Sequence, residues 1–277
     1  PGSIPIDTEP SSQANTELSW TGNSLEEEFG FQLLKWNSKI YASDPHRSEG
    51  TIYQLTEDGR NEVFSGLGRL GHQIFIWNDT LYAHAPLLEK IVDADGNILA
   101  EGVYGKIVAT EEYWYAISGN DLLRNGEIWK SFESKPYDLA ICNGTIGLSF
   151  PFGAQKLWVE GQWYFEADQT LDQYLHCIYH NDTVQWLLGG EHRLLIVDGE
   201  MTSELPSEHQ GFGQEVTFRE IGTQLEVFIS APDGGSNMKG WVGRYLWSTK
   251  TLLQEWTGAR PNQRFGYAIL LEHDGIL

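Results

Sequence analysis

The chain is predicted to be all-β: a seven-bladed β-propeller of four-stranded antiparallel blades, closed by strands from both termini sharing one blade. Three observations carry this expectation. A phrase anchored on glycine recurs along the chain, each unit between anchors reads as short hairpin-linked strands, and the phrase is split between the two ends. Residues 17–34 read ELSWTGNSLEEEFGFQLL, and residues 254–271 read QEWTGARPNQRFGYAILL. Each holds Trp-Thr-Gly, a polar stretch, Phe-Gly and an apolar run. Self-similarity at a period of roughly 35 to 45 residues is the mark of a repeat architecture.

The anchors set the spacing. Gly30, Gly71, Gly105, Gly213 and Gly266 mark five units, and strand patterns beginning near Tyr137 and Asp172 mark two more. Gly30 to Gly71 is 41 residues, and the 12 residues from Gly266 to Leu277 with the 29 before Gly30 amount to the same length. A ring whose last unit is shared between the termini accounts for this. An open solenoid would need distinct end caps. Residues 1–22 and 265–277 are therefore expected to complete one blade of a single domain spanning 1–277.

The first unit runs FGFQLLKW, the turn Asn37-Ser38, KIYASDP, a loop, GTIYQLT, a turn at Asp58-Gly59, and NEVFSG. The second runs HQIFIW, Asn78-Asp79, TLYAHAP, EKIVDA, Asp95-Gly96, NILAEG. Asn- and Asp-Gly-type turns between β-branched and aromatic runs are hairpin signals. PYDLAICNGTIGLSF, DQYLHCIYHNDTVQWLL and GFGQEVTF open the fourth, fifth and sixth units in the same way. Apart from a short turn at 24–28, no stretch shows helical periodicity.

Composition bounds the function. The net charge of −21 disfavours a nucleic-acid surface, because phosphate would be repelled. It suits a soluble surface or a cationic partner. No apolar run reaches 18 residues, so no membrane insertion is expected. PGSIPIDTEP has neither the basic start nor the apolar core of a signal peptide. The 11 Trp and 30 Gly suit sheets that pack flat on one another and turn near an axis. Cys142 and Cys177 sit in the inner strands of adjacent units and read as small buried hydrophobes. Their positions relative to the hairpin turns differ in strand parity, which argues against a disulfide. Asn78, Asn143 and Asn181 form Asn-x-Ser/Thr sequons, all at hairpin turns where Asn is favoured for its own conformation.

These residues resemble the FG-GAP repeat of the integrin α-subunit propeller. The best matches are residues 212–247, FGQEVTFREIGTQLEVFISAPDGGSNMKGWVGRYLW, and 29–55, FGFQLLKWNSKIYASDPHRSEGTIYQL. Ser230-Ala231-Pro232 takes the place of the family's Gly-Ala-Pro. Gly243-Arg244-Tyr245-Leu246 takes that of Gly-x-Val-Tyr. The resemblance implies seven blades and a partner-binding face formed by the loops after the second strands. One departure concerns calcium. The connections between first and second strands are two-residue turns, too short to supply calcium's six or more oxygens. The sequence Asp93-Ala94-Asp95-Gly96-Asn97 falls between third and fourth strands, where it reads as an Asp-Gly hairpin. No metal and no cofactor are expected.

No GxSxG, HExxH or P-loop pattern appears, so no catalytic residues are assigned. The candidate binding residues are those of the loops after the second strands: Asp44, His46, Arg47, His84, Phe152, Glu191, His192 and Asp233. The polar, Gly-rich segment 232–239 suits a mobile contact loop. The reading is a non-catalytic recognition scaffold for another protein or a glycan, extracellular or virion-associated rather than cytoplasmic. Two alternatives are a structural subunit of a virion or phage tail and a lectin or glycosidase-type propeller. The last would need exposed aromatic platforms or facing acidic groups in a central pocket.

Overall fold

The computed structural model describes residues 29–45, 49–103, 105–152, 155–166, 173–260, 263–272 and 275–276. Twenty-four strands form six four-stranded antiparallel sheets, each built in sequence order. Blade 1 comprises β1 (Leu33–Trp36), β2 (Lys39–Asp44), β3 (Glu49–Thr56) and β4 (Gly59–Leu67). Blade 2 comprises β5 (Gln73–Trp77), β6 (Thr80–Ala85), β7 (Lys90–Asp93) and β8 (Ile98–Glu101). Blade 3 holds β9 (Ile107–Ala109), β10 (Trp114–Ser118), β11 (Asp121–Arg124) and β12 (Glu127–Ser131). Blade 4 holds β13 (Asp138–Cys142), β14 (Thr145–Ser149), β15 (Gln155–Val159) and β16 (Gln162–Glu166). Blade 5 holds β17 (Tyr174–His180), β18 (Thr183–Gly189), β19 (Arg193–Asp198) and β20 (Met201–Pro206). Blade 6 holds β21 (Val216–Ile221), β22 (Gln224–Ala231), β23 (Trp241–Leu246) and β24 (Thr251–Thr257). A two-stranded hairpin, β25 (Leu271–Glu272) with β26 (Gly275–Ile276), follows.

The architecture is a β-propeller. It has six four-stranded blades among the described residues where seven were expected. The seventh unit begins at its anchor, Gly266, but appears only as the β25–β26 hairpin. The N-terminal strand expected to close the ring, and the turn at 24–28, lie outside the described residues.

Local chemistry accounts for the blade starts and turns. Gly30, Gly71, Gly213 and Gly266 all have left-handed φ, between 81° and 88°. The chain reverses there into the innermost strand, and an L-residue would be strained. The β1–β2, β5–β6, β13–β14 and β17–β18 turns have positive φ at both central residues (Asn37-Ser38, Asn78-Asp79, Asn143-Gly144, Asn181-Asp182). This is the type I′ geometry that matches strand twist. The Asp93–Asn97 segment joins β7 and β8 as a hairpin. Asp93 accepts the backbone N–H groups of Asp95 (3.0 Å) and Asn97 (2.8 Å) and the Asn97 amide (2.9 Å).

The core lies between blades. The first strands touch one another from sheet to sheet, β1 to β5, β5 to β9, β9 to β13 and β13 to β17, which makes them the innermost. Leu34 and Trp36 of β1 pack with Ile74 and Ile76 of β5. Alternate side chains of each inner strand thus face the next blade and the intervening ones face the preceding blade, as the period-2 pleat requires. The same scheme recurs at the 2–3, 3–4, 4–5 and 5–6 boundaries. This geometry corrects the parity argument about the cysteines. Residues on adjacent blades that face each other have opposite parity, so Cys142 and Cys177 share the blade 4–5 core. Both are free thiols, and Cys177 Sγ–H donates to the Ile141 carbonyl at 3.3 Å.

Candidate functional site

A ring of equivalent positions stands where each inner strand begins. These are Gln32, Gln73, Lys106, Asp138, Tyr174 and Glu215. Each lies opposite the end of its second strand: Gln32 with Ser43, Gln73 with His84, Lys106 with Ile117, Asp138 with Ser149, Tyr174 with Gly189, and Glu215 with Ser230. By the same spacing from the anchor glycine, Ala268 takes this place in the seventh unit.

Three of these side chains staple one blade to the next. Gln32 Oε1 accepts the backbone N–H of Ile74 at 2.6 Å. Gln73 Oε1 accepts that of Ile107 at 2.6 Å, while its Nε2 donates to the Gly105 carbonyl at 3.2 Å. Asp138 Oδ2 accepts the N–H of Leu175 at 2.9 Å, and its Oδ1 accepts that of Leu139 at 2.8 Å. The staple satisfies a buried donor on the neighbouring inner strand that no ladder partner reaches.

Charge collects at the remaining positions. Lys106 Nζ lies 3.7 Å from Asp138 Oδ1, and a third of the lysine side chain (33%) is open. The Asp138 carboxylate raises the Lys106 pKa against the effect of burial. Glu215, within range of both, has its carboxyl pushed up to about 7 by burial, with Lys106 working in the opposite sense. Its side chain makes no hydrogen bond or ion pair among the described residues. His176, two residues beyond Tyr174, places Nε2 3.2 Å from the carbonyl oxygens of Gly213 and Gln214 on blade 6. Burial lowers its pKa to about 4. His72, whose Nδ1 is buried without a hydrogen-bond partner, is lowered to about 4 by burial and the neighbouring His84, Arg69 and Lys106.

Aromatic rings surround these charges. Tyr137 and Tyr174 meet edge-to-face at 6.2 Å. Phe31 packs on Tyr267 at 4.7 Å and on His72 at 5.1 Å. Burial pushes the Tyr174 hydroxyl up to about 12 and raises that of Tyr137, although 45% of the Tyr137 surface remains exposed. Charged and aromatic side chains thus stand side by side where the inner strands begin.

The described residues among those singled out from sequence fall on the same end, because the loops after second strands lie beside the inner-strand starts. They do not converge. His84 is fully buried at the end of β6, with Nε2 3.1 Å from the Val103 carbonyl, and Asp44 is buried at the end of β2. Asp233 pairs with Arg264 at 2.9 Å. Glu191 and His192 are exposed on the β18–β19 loop, and Phe152 is 78% exposed on the β14–β15 loop. His46 and Arg47 lie outside the described residues. Lys106, Asp138, His176 and Glu215, near the inner-strand starts, were not among the candidates. For Lys106 and Glu215, a place one or two residues after the anchor glycines Gly105 and Gly213 was the available signal; Asp138 and His176 follow no anchor glycine.

A second concavity lies far out on blades 3 and 4, between Trp129, Lys130, Trp158, Glu160 and Gly161. Among the described residues no cluster of three or more His, Cys, Asp or Glu is arranged to hold a metal ion.

No family model matches the chain, and no curated protein is similar in sequence. Solved structures are similar in shape. Apo AztD from Citrobacter koseri has a TM-score of 0.58 at 11% identity, over 88% of this chain and 78% of that one. The extracellular domain of the putative one component system BT4673 from B. thetaiotaomicron has 0.57 at 10%, over 91% and 38%. The computationally designed Ika8 protein has 0.54 at 11%, over 91% and 92%. At such identities the likeness shows the fold alone. The chain belongs to the β-propeller class, and kinship with FG-GAP proteins is not shown.

Proposed function

We propose that the protein is a non-catalytic recognition propeller that engages a protein or glycan partner through the face on which the inner strands begin. The observation that carries this reading is the gathering of polar side chains from neighbouring blades at the inner-strand starts, Lys106, Asp138, Tyr174 and Glu215, on the face that also carries the irregular loops. Rigid strands position these groups, while the opposite face offers two-residue turns with little room for a varied surface. No nucleophile stands beside a general base there, and the neutral His176 spends its Nε2 on backbone carbonyls. We further read the ring as closed by a seventh blade and as distantly FG-GAP-like. The left-handed φ of Gly266 supports this, since it repeats at the last unit what Gly30, Gly71 and Gly213 do.

The test is an array of glycans and of peptides probed with the labelled protein. Binding should be saturable and should fall at least tenfold in a Phe152→Ala, Tyr137→Ala double variant. Asn78→Ala and Asp182→Ala, on the opposite face, should leave it unchanged. Binding indifferent to the first pair but lost with Trp129→Ala would move recognition to the outer strands and favour the glycan groove between Trp129 and Trp158.

A further inference from the structure

The concavity on the outer flank of blades 3 and 4 is an open groove of about 460 Å³, lined by Trp129, Lys130, Trp158, Glu160 and Gly161. That volume falls within the roughly 300–1,000 Å³ of small-ligand sites. Trp129 is the extra residue of a β-bulge. Leu122 pairs with Lys130 and Leu123 with Ile128, so Trp129 stands unpaired between them. A bulge of this kind re-aims the side chain it carries. The same register shift recurs in blades 1, 2 and 6, where the extra residue is Val63, Leu99 and Leu253. The fold thus uses the bulge repeatedly but does not require an indole there. Tyr115 at 5.8 Å, Trp158 at 6.4 Å and the Arg124 guanidinium at 5.6 Å hold the Trp129 ring, yet 38% of the residue stays exposed. The result is an aromatic platform fixed in place.

Glu160 departs from the repeat in a second way. The β15–β16 turn, Glu160-Gly161, has φ of 41° and 99°. The β11–β12 turn of blade 3 has the same left-handed pair, and there Asn125 precedes Gly126. Asn adopts this conformation far more readily than Glu, so turn conformation does not account for a glutamate at this place. Glu160 and Lys130 both line the groove, and neither side chain makes a hydrogen bond or an ion pair among the described residues. Trp158 is 4% exposed, and its indole N–H has no hydrogen-bond partner among the described residues and is not sealed from solvent.

We propose that this groove binds a neutral carbohydrate, a pyranose ring lying against Trp129 with its hydroxyls shared among Glu160, Lys130 and the Trp158 N–H. The inference goes beyond the loop-face reading and does not rest on it, since the β15–β16 turn stands at the end of the blade opposite the loops. One charge of each sign lines the groove, so a simple anion would meet Glu160 and a simple cation Lys130. A purely apolar ligand would desolvate both charges and the N–H without replacing their hydrogen bonds. A proline-rich peptide offers carbonyls that only accept, which leaves Glu160 unanswered. A sugar meets every group present. Its C–H face packs on the indole, and each hydroxyl donates to a carboxylate and accepts from an ammonium or an N–H.

Saturation-transfer NMR on the full chain tests the site with cellotetraose, maltotetraose and tetra-N-acetylchitotetraose. A decaproline peptide and the zwitterion L-phenylalanine are the controls. At least one glycan should bind saturably, with the strongest transfer to its ring C–H protons, and the controls should not bind. Trp129→Leu, the residue type of the bulge in blades 2 and 6, should fold with little change in melting temperature and weaken glycan binding at least tenfold. Glu160→Asn should raise the melting temperature and yet weaken binding at least threefold, whereas a glutamate with no ligand role would show only the first effect. The loop-face double variant Phe152→Ala, Tyr137→Ala should leave this binding unchanged. No glycan binding at 10 mM, binding unchanged in Trp129→Leu, or tighter binding of either control overturns the proposal. Glycan binding that falls with the loop-face pair and not with Trp129→Leu also overturns it and assigns the sugar to the loop face. The loop-face reading is judged by its own variants on the array, so either inference can fail while the other stands.

Discussion

The boundary between blades 5 and 6 and the boundary between blade 6 and the C-terminal segment are built on one plan and finished differently. At the first, thirteen buried residues interlock, from Ile178 and Leu187 on one side to Phe212, Val227 and Tyr245 on the other. Trp247 of blade 6 adds a hydrogen bond from its indole N–H to Gln185 of blade 5 at 2.7 Å. At the second, the described residues contribute three buried side chains, Phe228, Val242 and Ile269. The glycine anchor is present at both, and neither Tyr174 nor Glu215 makes the staple that Gln32, Gln73 and Asp138 make at other boundaries. A propeller carries its core as separate inter-blade seams, so one seam can be thin without loosening the others. The thin seam is also where a carboxylate is left unpaired.

Truncation should expose the difference most strongly. Phe212→Ala, in the thick seam, is expected to cost about 3–5 kcal/mol in urea unfolding. Ile269→Ala, in the thin seam, should cost about 2 kcal/mol or less, with an unchanged m-value. Equal costs would show that the C-terminal seam is completed to the same density by parts of the chain outside the described residues.

The staples give the next effect. Gln73→Leu removes the acceptor of the buried Ile107 N–H and should cost about 1–3 kcal/mol. Hydrogen exchange of that amide should accelerate with it. Glu215→Gln removes no staple, so at pH 7 it should be neutral or slightly stabilising. A loss comparable to that of Gln73→Leu would mean that Glu215 has a structural partner.

The smallest effect lies in pH dependence. Glu215 is raised by burial to about 7, so the folded state binds its proton more tightly than the unfolded state. The resulting stability is complete below the unfolded value near 4.5 and is lost as pH rises through 7. His72 and His176, lowered to about 4, act in the opposite sense. Their contribution is complete above 6.5 and is lost as pH falls through 4. Around pH 7 the glutamate's share falls as pH rises, and Glu215→Gln should remove that share from the thermal melts, a change of about 0.5 kcal/mol or less between pH 6.5 and 7.5 once discounted for solvent. An unchanged slope would show that the carboxyl is not desolvated.

Blade starts, hairpin turns and strand alternation were legible in the sequence because each depends on a few adjacent residues. Gly30 and Gly71 announce a left-handed φ, and Asn78-Asp79 announces a type I′ turn, whatever surrounds them. Anchor spacing and, for the fourth and fifth units, strand pattern located the six four-stranded blades and the anchor of the seventh unit. Seven blades were expected and six are complete among the described residues, because an anchor glycine marks where a sheet begins and says nothing of how many strands pair behind it. The site was not legible in this way. Asp44 and His84 looked like loop residues because they end their strands beside loops, yet the tertiary structure buries both. Cys142 and Cys177 looked mismatched because parity was compared along one strand direction rather than across two facing blades. Lys106, Asp138, Tyr174 and Glu215 lie roughly 35 residues apart along the chain, and only the curvature of the ring brings them to one face. Local propensity specified the units, and the packing of unit on unit decided which of their polar residues would meet, which would staple, and which would be left without a partner.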